Sequence, residues 1–420
     1  MSKAKNKKGI MDLSTKKILI IAYACEPNRT SEPGVGWNFS KEMSKYSKIT
    51  VLTRLNNKIH IDNYQCKNMT FIYYDLPSFF LFFKKRIPFG TQFYYLFWQL
   101  GAYFKIKGHT KKSKYDLLHH LNFSINWNPP PFFLVNIPYV WGPVGGADIV
   151  PFKFIKYMGI SAFVNEKIFY LINLYRKFIF NLISRKENPN TLVLRTNSAL
   201  KIFRKRSFKN IFVVSETASE EIKSLSYSFK KFNGEINAIC IGRMNYWKGF
   251  FSAVKGFHLF VKNGGVGKLE LYGDGPDLKK IKIYIKENNL NNRILIKGFV
   301  NNSQIKSVLL KSNILIHPSF RDGGSWSIME AMSYGLPVIC LDTSGPKDMV
   351  TKDCGILIKP KNKNQVINDI GNALTKLQKD PDLYDIYSKN AFDRISKEYC
   401  WSRRGEQMKE AYLYTLKSSS

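Results

Sequence analysis

The feature that most constrains the fold is a regular alternation, from Lys16 onward, of short β-branched runs with longer helical patterns. Such alternation is typical of parallel sheets whose crossover helices cover both faces. The runs form two series separated by a polar stretch, and 420 residues exceed what one core usually supports. The sequence therefore predicts an α/β protein with two doubly wound, Rossmann-like domains.

The first series predicts strands over Ile18–Ala24, Ile49–Thr53, Thr70–Tyr74, Leu117–His120, Tyr139–Trp141, Leu192–Arg195 and Ile211–Val214. The second series predicts strands over Ile236–Ile241, Lys268–Tyr272, Arg293–Lys297, Ile314–His317, Pro337–Leu341 and Gly355–Ile358. Each series is long enough to form a sheet of its own.

The domain boundaries follow from composition. Residues 1–15 are rich in Lys and predict a disordered basic tail. The stretch 216–234 is rich in Ser, Glu and Lys and ends in Asn-Gly, which favours a linker between domains at 16–215 and 235–398. We expect residues 399–420 to form a helix that packs back on the N-terminal domain.

The formal net charge of +34 predicts attraction to polyanions. No zinc knuckle, RNP-type aromatic motif or basic zipper accompanies it, so nucleic acid is an unlikely partner. The charge then reflects either a general Lys-rich composition or contact with an anionic membrane surface. The six cysteines include no CxxC pair, which favours reduced thiols in the cytoplasm over disulfides or a zinc site.

Two segments bear on membrane contact. Residues 87–104 are uncharged and approach the length of a bilayer span, but their Pro, Gly and Gln residues argue against a stable one. The segment Lys167–Lys186 predicts a helix that is apolar on most faces and carries Arg176, Lys177 and Arg185. Such a helix fits burial between lobes or a position among acidic headgroups.

The first motif that indicates chemistry is GRMNYWKG at residues 242–249, directly after a predicted strand. Doubly wound folds bind ligands at such βα turns. Gly242 permits a close turn, while Arg243 and Lys248 bring two cations to the carboxyl edge of the sheet. A solvated surface turn is the alternative interpretation.

The second motif, YGDGPDL at residues 272–278, predicts a tight βα turn with Pro276 at the first position of the next helix. Asp274 and Asp277 are too far apart for an Asp-x-Asp pair that would hold a divalent metal. The sequence therefore predicts no metal and no other cofactor.

The third motif is HPSFRDGGSWSIMEAMSYGLPVI at residues 317–339. A predicted helix begins near Ser325, so the backbone N–H groups of Ser325, Trp326 and Ser327 are expected to bind phosphate, with Gly324 just before them. Asp322 is a candidate to bind sugar hydroxyls, and Glu330 to bind a ribose. Ser327 to Glu330 also fits a capping box, which is a purely structural alternative.

The motif Asp322-x7-Glu330 resembles the Glu-x7-Glu motif of the retaining glycosyltransferases of family 4, where Ala-Met, Gly and Pro-Val-Ile follow as they do here. The Gly-Arg…Lys-Gly and Gly-x-Gly-Pro turns also occur upstream in the family's order. The resemblance covers roughly residues 235–420. It implies the GT-B fold, with two Rossmann-like domains facing a central cleft, an acceptor-side N-terminal domain and a C-terminal domain that binds the nucleotide-sugar donor.

The resemblance also implies residue roles. Arg243 and Lys248 would neutralise the leaving diphosphate, so that cations replace a metal. Glu330 would bind the nucleotide ribose and Asp322 would contact the donor sugar. Asp322 replaces the family's first Glu and is one methylene shorter, which implies an altered donor preference.

The N-terminal domain resembles the family less closely. Glu32-Pro-Gly34-Val-Gly36-Trp37 is similar to the Gly-rich loop that faces the donor diphosphate, and to a subgroup with a Ser-Glu-Pro-Gly-Val-Gly-Trp run. Asp116-Leu-Leu-His119-His120 resembles an Asp-x-x-His-x-His strand end, with burial as the alternative. The family's His is absent from Trp141-Gly-Pro-Val-Gly145-Gly146, where the two glycines are candidates to present N–H groups to donor or acceptor.

The resemblance implies a metal-independent hexosyltransferase-like enzyme that moves a sugar from UDP- or GDP-sugar to an acceptor hydroxyl in polysaccharide or lipid-linked glycan synthesis. We expect a cytoplasmic protein, peripheral at the inner face of the cell membrane. The alternative is a non-catalytic protein of the same fold that binds nucleotide-sugar or polyanion, which the missing His motivates.

Overall fold

The computed structural model describes residues 12–86, 90–124, 130–146, 148–155, 159–184, 191–203, 210–220 and 231–419. These residues form two lobes, each built around one parallel sheet. The predictions for residues 1–11, for 221–230 of the linker and for the basic residues Arg185 and Lys186 lie outside the described residues.

The sheet of the N-terminal lobe has seven strands, all parallel, in the order β3-β2-β1-β4-β5-β6-β7. The strands are β1 (Lys17–Ile21), β2 (Lys48–Thr53), β3 (Met69–Tyr73), β4 (Leu117–His120), β5 (Tyr139–Val144), β6 (Thr191–Leu194) and β7 (Asn210–Val213). The order reverses between β1 and β4, which makes that point a crevice at the carboxyl edge.

The sheet of the C-terminal lobe has six parallel strands in the order β10-β9-β8-β11-β12-β13. They are β8 (Ile236–Ile241), β9 (Gly267–Tyr272), β10 (Ile294–Gly298), β11 (Ile314–His317), β12 (Val338–Leu341) and β13 (Gly355–Ile358). Counted within this lobe, the order is the doubly wound 3-2-1-4-5-6, and its crevice lies between β8 and β11.

Helices connect the strands and cover both sheets. In the N-terminal lobe they are α1 (Ser31–Met43), α2 (Lys58–Ile61), α3 (Ser78–Arg86), α4 (Gly90–Thr110), α5 (Phe152–Ile155), α6 (Ile160–Ser184) and α7 (Asn197–Phe203). The remainder are α8 (Phe250–Lys262), α9 (Leu278–Glu287), α10 (Asn302–Lys311), α11 (Trp326–Ser333), α12 (Ser344–Met349), α13 (Lys363–Lys379), α14 (Pro381–Glu398) and α15 (Trp401–Ser419).

The predicted strands and the two-sheet fold class are confirmed. Every residue of β4, β6, β11 and β12 is buried, as expected for strands covered on both faces. The main differences are at strand ends, where β1 stops at Ile21 instead of Ala24 and β5 continues to Val144.

The C-terminal helix α15 packs on the N-terminal lobe. Trp401, Met408 and Tyr412 lie in the same buried cluster as β1 and α1. Leu13 is also buried in that cluster, so the ordered chain begins before residue 16. Among the described residues, no helix is both long enough and apolar enough to cross a membrane, and the uncharged run near residue 90 belongs to the packed helix α4.

The buried contact between α15 and β4 is testable. The Nε2–H group of His119 donates to the Gly142 carbonyl at 2.6 Å, so Nδ1 accepts the Tyr412 hydroxyl at 2.6 Å. Tyr412→Phe leaves that nitrogen unpaired in the core and is expected to lower stability by about 1–2 kcal/mol in urea unfolding. Tyr414→Phe, at a position 57% exposed on the same helix, is the matched control and is expected to change little. Equal unfolding midpoints for the two variants would contradict the assignment.

Candidate functional site

The candidate site lies at the carboxyl ends of β8 and β11, the two strands between which the order of the second sheet reverses. The turn after β8 carries the predicted cations Arg243 and Lys248, and the loop after β11 carries Asp322. The topology therefore brings together two motifs that lie far apart in the chain. Doubly wound sheets bind ligands at this position.

The Asp322 carboxylate joins these two loops. Its Oδ2 atom lies 2.7 Å from the Lys248 ammonium and 2.8 Å from His317 Nε2. Burial acts to raise the pKa of Asp322, but the hydrogen bond from His317 and the charge of Lys248 outweigh it and hold the pKa well below the usual range. Asp322 is therefore ionised at all physiological pH values.

His317 has a positioning role that sequence reasoning missed. Burial lowers its pKa despite the neighbouring carboxylate, so the ring is neutral near pH 7. Nε2–H then donates to Asp322, while Nδ1 lies 3.3 Å from the Ser327 hydroxyl of α11. The signal available in the sequence was its place at the last residue of β11, directly at the carboxyl edge.

The Lys-Gly pair fixes where the ammonium lies. Gly249 has φ +71, and a Cβ atom there would lie 2.1 Å from the Pro318 carbonyl oxygen. Only glycine combines this conformation with so close an approach. The turn after β8 is thereby packed against the end of β11, and Lys248 is held beside Asp322.

Arg243 has a different environment from Lys248. It is exposed, and its guanidinium forms no ion pair with any side chain in the described part of the protein. Gly242 just before it uses its N–H group to bond the Tyr272 carbonyl at 3.0 Å, which makes it part of the turn. Of the two predicted cations, Arg243 is therefore the one free to meet an incoming anion.

Helix α11 begins near Ser325, as predicted. Ser325, and not Ser327, precedes the helix, so the capping-box alternative is wrong. The N–H group of Trp326 already bonds the Gly324 carbonyl at 3.0 Å. The Ser325 hydroxyl is buried without a hydrogen-bond partner among the described residues. The turn therefore leaves one unused hydroxyl donor at the site.

Glu330 lies in the second turn of α11. Burial raises the pKa of its carboxyl to about 7. No hydrogen bond or ion pair holds this carboxyl within the described ranges. A half-buried, unpaired carboxyl of this kind is poised to accept hydrogen bonds from ligand hydroxyls.

The two histidines of β4 do not reach the cleft, which corrects their assignment to the sugar side. His119 forms hydrogen bonds with the Gly142 carbonyl and the Tyr412 hydroxyl, and His120 Nε2 lies 3.0 Å from the Tyr95 hydroxyl. Burial lowers the pKa of His119 to about 4 and that of His120 to about 3. Both rings are neutral parts of the lobe's core.

The glycine assignments in the N-terminal lobe also change. Gly34 and Gly36 lie within helix α1 and not in a loop. Each packs against backbone of the segment between β1 and α1, with added Cβ atoms 1.8 Å from the Arg29 oxygen and 2.0 Å from the Ala24 oxygen. The N–H group of Gly145 donates a hydrogen bond to the Ser124 carbonyl at 2.9 Å. Gly146 is exposed at the end of the same stretch.

Helix α6 connects the lobes at the site. Its buried residue Glu166 forms an ion pair with Arg321 at 3.0 Å and accepts a hydrogen bond from the Tyr246 hydroxyl at 2.7 Å. The Arg321 guanidinium also stacks over the rings of Phe169 and Trp247. The inner face of α6, the predicted apolar helix, thus packs against Arg321, the residue before Asp322.

Arg195, at the end of β6, is a second group that sequence reasoning missed. Its guanidinium lies 2.6 Å from Glu216 and 3.5 Å from Glu32. A Cβ atom on Gly323 would lie 3.0 Å from Arg195 Cδ, so this side chain reaches the loop of the opposite lobe. Its position as the last residue of the predicted strand Leu192–Arg195 was the signal that could have found it.

Within the described residues, no group of three or more His, Cys, Asp or Glu side chains is placed to hold a metal ion.

Two parallel, doubly wound lobes that face each other at their carboxyl edges define the GT-B class of glycosyltransferases. Anabaena HepE, solved in complex with UDP and glucose, has the same fold, with a TM-score of 0.58 at 14% identity over 94% of this chain and 99% of that one. Residues 222–394 match the model of the family described as Glycosyl transferases group 1. The matched range includes every strand of the second sheet.

Two sequence relatives are named as glycosyltransferases. The poly(glycerol-phosphate) alpha-glucosyltransferase of Bacillus subtilis is 34% identical over 162 residues, which cover 38% of this chain and 23% of that protein. An uncharacterized glycosyltransferase of Methanocaldococcus jannaschii is 28% identical over 248 residues, or 57% of this chain and 61% of that protein. The chain thus covers less than two thirds of either relative's length.

The raised pKa of Glu330 gives a prediction for stability. Its contribution to folding is fully present below the usual value of 4.5 and is lost as pH rises through about 7. Between about pH 5 and pH 8 the wild type should lose about 2 kcal/mol of unfolding free energy relative to Glu330→Gln. Urea unfolding at several pH values measures this difference. Glu287→Gln, at an exposed position, should run parallel to the wild type, and a parallel Glu330→Gln curve would contradict the shift.

Proposed function

We propose that the protein transfers a sugar from a nucleoside-diphosphate sugar to an acceptor hydroxyl with retention of configuration. The observation that carries this proposal is the buried, ionised Asp322 held beside Lys248 at the carboxyl edge of the second sheet. The relation to a poly(glycerol-phosphate) alpha-glucosyltransferase and the fold shared with a protein bound to UDP and glucose support it.

The site accommodates a donor without rearranging Asp322. Lys248 and His317 both contact Oδ2, so Oδ1 makes no hydrogen bond to the described residues and is available to a sugar hydroxyl. The Lys248 ammonium has three N–H donors, of which one serves Asp322. The others, with the exposed Arg243, would stabilise the charge that develops on the leaving diphosphate, and we propose that no metal is needed.

The proposed reaction occurs on one face of the sugar. The bond between the anomeric carbon and the diphosphate oxygen breaks, and the acceptor oxygen bonds to the same face of that carbon. The acceptor proton passes to the leaving phosphate oxygen. The pKa of Asp322 is too low for it to serve as a proton acceptor near pH 7, which assigns it a binding role toward the sugar.

The test uses purified protein with radiolabelled UDP- and GDP-sugars and a polysaccharide or lipid-linked acceptor. Arg243→Ala, Lys248→Ala and Glu330→Ala should each reduce donor turnover by about tenfold or more, because each removes a group that binds the diphosphate or the ribose. Lys262→Ala, which removes an exposed cation at the end of α8, is the matched control.

Two outcomes would contradict the proposal. Unchanged turnover in all three variants would show that the site assignment is wrong. Saturable donor binding by the wild type without transfer or hydrolysis would favour the non-catalytic alternative instead.

We also propose that the protein acts at the inner face of the cell membrane, on a glycan or lipid-linked acceptor. The outer face of α6 carries Val164, Ile168, Leu171 and Tyr175, which are 46%, 49%, 63% and 67% exposed. Their spacing places them in one stripe along the helix. The exposed Lys167 lies beside it, so the face combines apolar contact with attraction to acidic headgroups.

Vesicle sedimentation tests this proposal. Leu171→Glu should reduce binding to phosphatidylglycerol vesicles by about tenfold, because it places a carboxylate in the apolar stripe. Ile386→Glu introduces the same change at a residue of α14 that is 54% exposed and should leave binding unchanged. Equal loss in the two variants, or equal binding to neutral phosphatidylcholine vesicles, would count against contact through α6.

A further inference from the structure

The N-terminal lobe places carboxylates against the loop that carries Asp322. A Cβ atom on Gly323 would lie 2.9 Å from Asp148 Oδ2, and one on Gly324 would lie 2.7 Å from Glu216 Oε1. A side chain on either loop residue would force these carboxylates to shift. The two lobes therefore meet through carboxylates of one and backbone of the other.

This region is acidic, in contrast to the rest of the protein. The carboxylates of Glu32, Asp148, Glu216 and Asp322 surround Arg195. Glu32 and Glu216 form ion pairs with Arg195, and Asp322 forms one with Lys248, so the four carboxylates outnumber these two cations by two. Burial raises the pKa of Glu216 to about 8 against the effect of Arg195, which leaves an excess of one negative charge near neutral pH.

The same region contains buried donors without partners. The Thr217 hydroxyl is fully buried and lies 3.3 Å from the position of a Cβ atom on Gly324, and the Ser325 hydroxyl is 1% exposed. Neither forms a hydrogen bond with the described residues, and the same holds for Arg195 Nε. Unpaired buried donors are unfavourable unless a ligand group binds them.

The two sets of groups specify one kind of ligand. Sugar hydroxyls both donate and accept, so they can satisfy the carboxylates and the unpaired donors together. A carboxylate on the ligand would instead face an excess of negative charge in a poorly solvated space. A diphosphate is excluded from this corner for the same reason and belongs beside the exposed Arg243.

We propose that Arg195, Asp148, Glu216 and Thr217 of the N-terminal lobe bind the transferred sugar opposite Asp322 and restrict it to neutral sugars, excluding uronic acids. The inference rests on the proposed function, because it assumes a nucleotide-sugar donor in the cleft. The family's histidine, which is absent from the stretch Trp141 to Gly146, was expected to contact the sugar. These four residues would make that contact from the N-terminal lobe instead.

The experiment measures binding of matched donors by calorimetry near neutral pH. UDP-glucose and UDP-glucuronic acid differ only at C6, and UDP serves as the probe without a sugar. If GDP binds more tightly than UDP, GDP-mannose and GDP-mannuronic acid replace them. The wild type should bind the neutral sugar at least about tenfold more tightly than the uronic acid.

Asp148→Asn tests the cause of the selectivity. It removes one negative charge but keeps an oxygen that can accept the hydrogen bond from Ser198, now 3.1 Å long. The preference for the neutral sugar should fall several-fold, with UDP affinity unchanged. Asp353→Asn, at an exposed position, should keep the wild-type preference. If Asp148→Asn does not fold, Glu216→Gln measured at about pH 9 makes the same test, because the wild-type carboxyl is ionised there.

The outcomes separate the inference from the function on which it rests. Absence of binding by every nucleotide and nucleotide-sugar would overturn the proposed function. Binding of UDP or GDP with equal affinity for neutral and uronic donors would overturn the inference alone. Selectivity that Asp148→Asn leaves unchanged would also overturn it, since the acidic groups would then not be its source.

Discussion

The ion contact among Lys248, Asp322 and His317 determines how the candidate site is built. A carboxylate that is only 9% exposed must be paired, because an isolated buried charge is strongly unfavourable. The pairing requires two loops from different strands to meet, and the turn at Gly249 makes that approach possible. Asp322 is consequently fixed and ionised before any ligand arrives, which is what preorganised binding of a sugar requires.

A second constraint is that charged groups from both lobes meet at this loop. Glu166 of α6 binds Arg321. Arg195 and the carboxylates of Glu32, Asp148 and Glu216, here called the Arg195 cluster, lie against Gly323 and Gly324 of the same loop. Surface ion pairs contribute little, but these partners are largely buried, so separating the lobes would leave charges unpaired. The relative position of the lobes and the shape of the site are therefore linked through the loop after β11.

The fold could be predicted because its determinants are local. Buried parallel strands read as continuous β-branched runs, and their order places functional loops at the carboxyl edge. The errors have physical reasons. The stretch from Glu32 to Trp37 resembles a Gly-rich loop, yet proline is tolerated in the first turn of a helix such as α1. Adjacent residues of a strand point to opposite faces, so His119 and His120 contact different helices and cannot both face a ligand.

The Arg195 cluster could not be predicted, because its members come from four separate segments and only the tertiary fold brings them together. Net charge was a misleading guide here. A chain with a formal charge of +34 carries an excess of carboxylates where its lobes meet. The two facts are compatible. The basic surface attracts polyanions in solution over a Debye length of about 10 Å, whereas the buried carboxylates act on groups at hydrogen-bond distance. In the proposed function, attraction of an anionic donor and discrimination among its sugars would thus be separate properties, set by different residues.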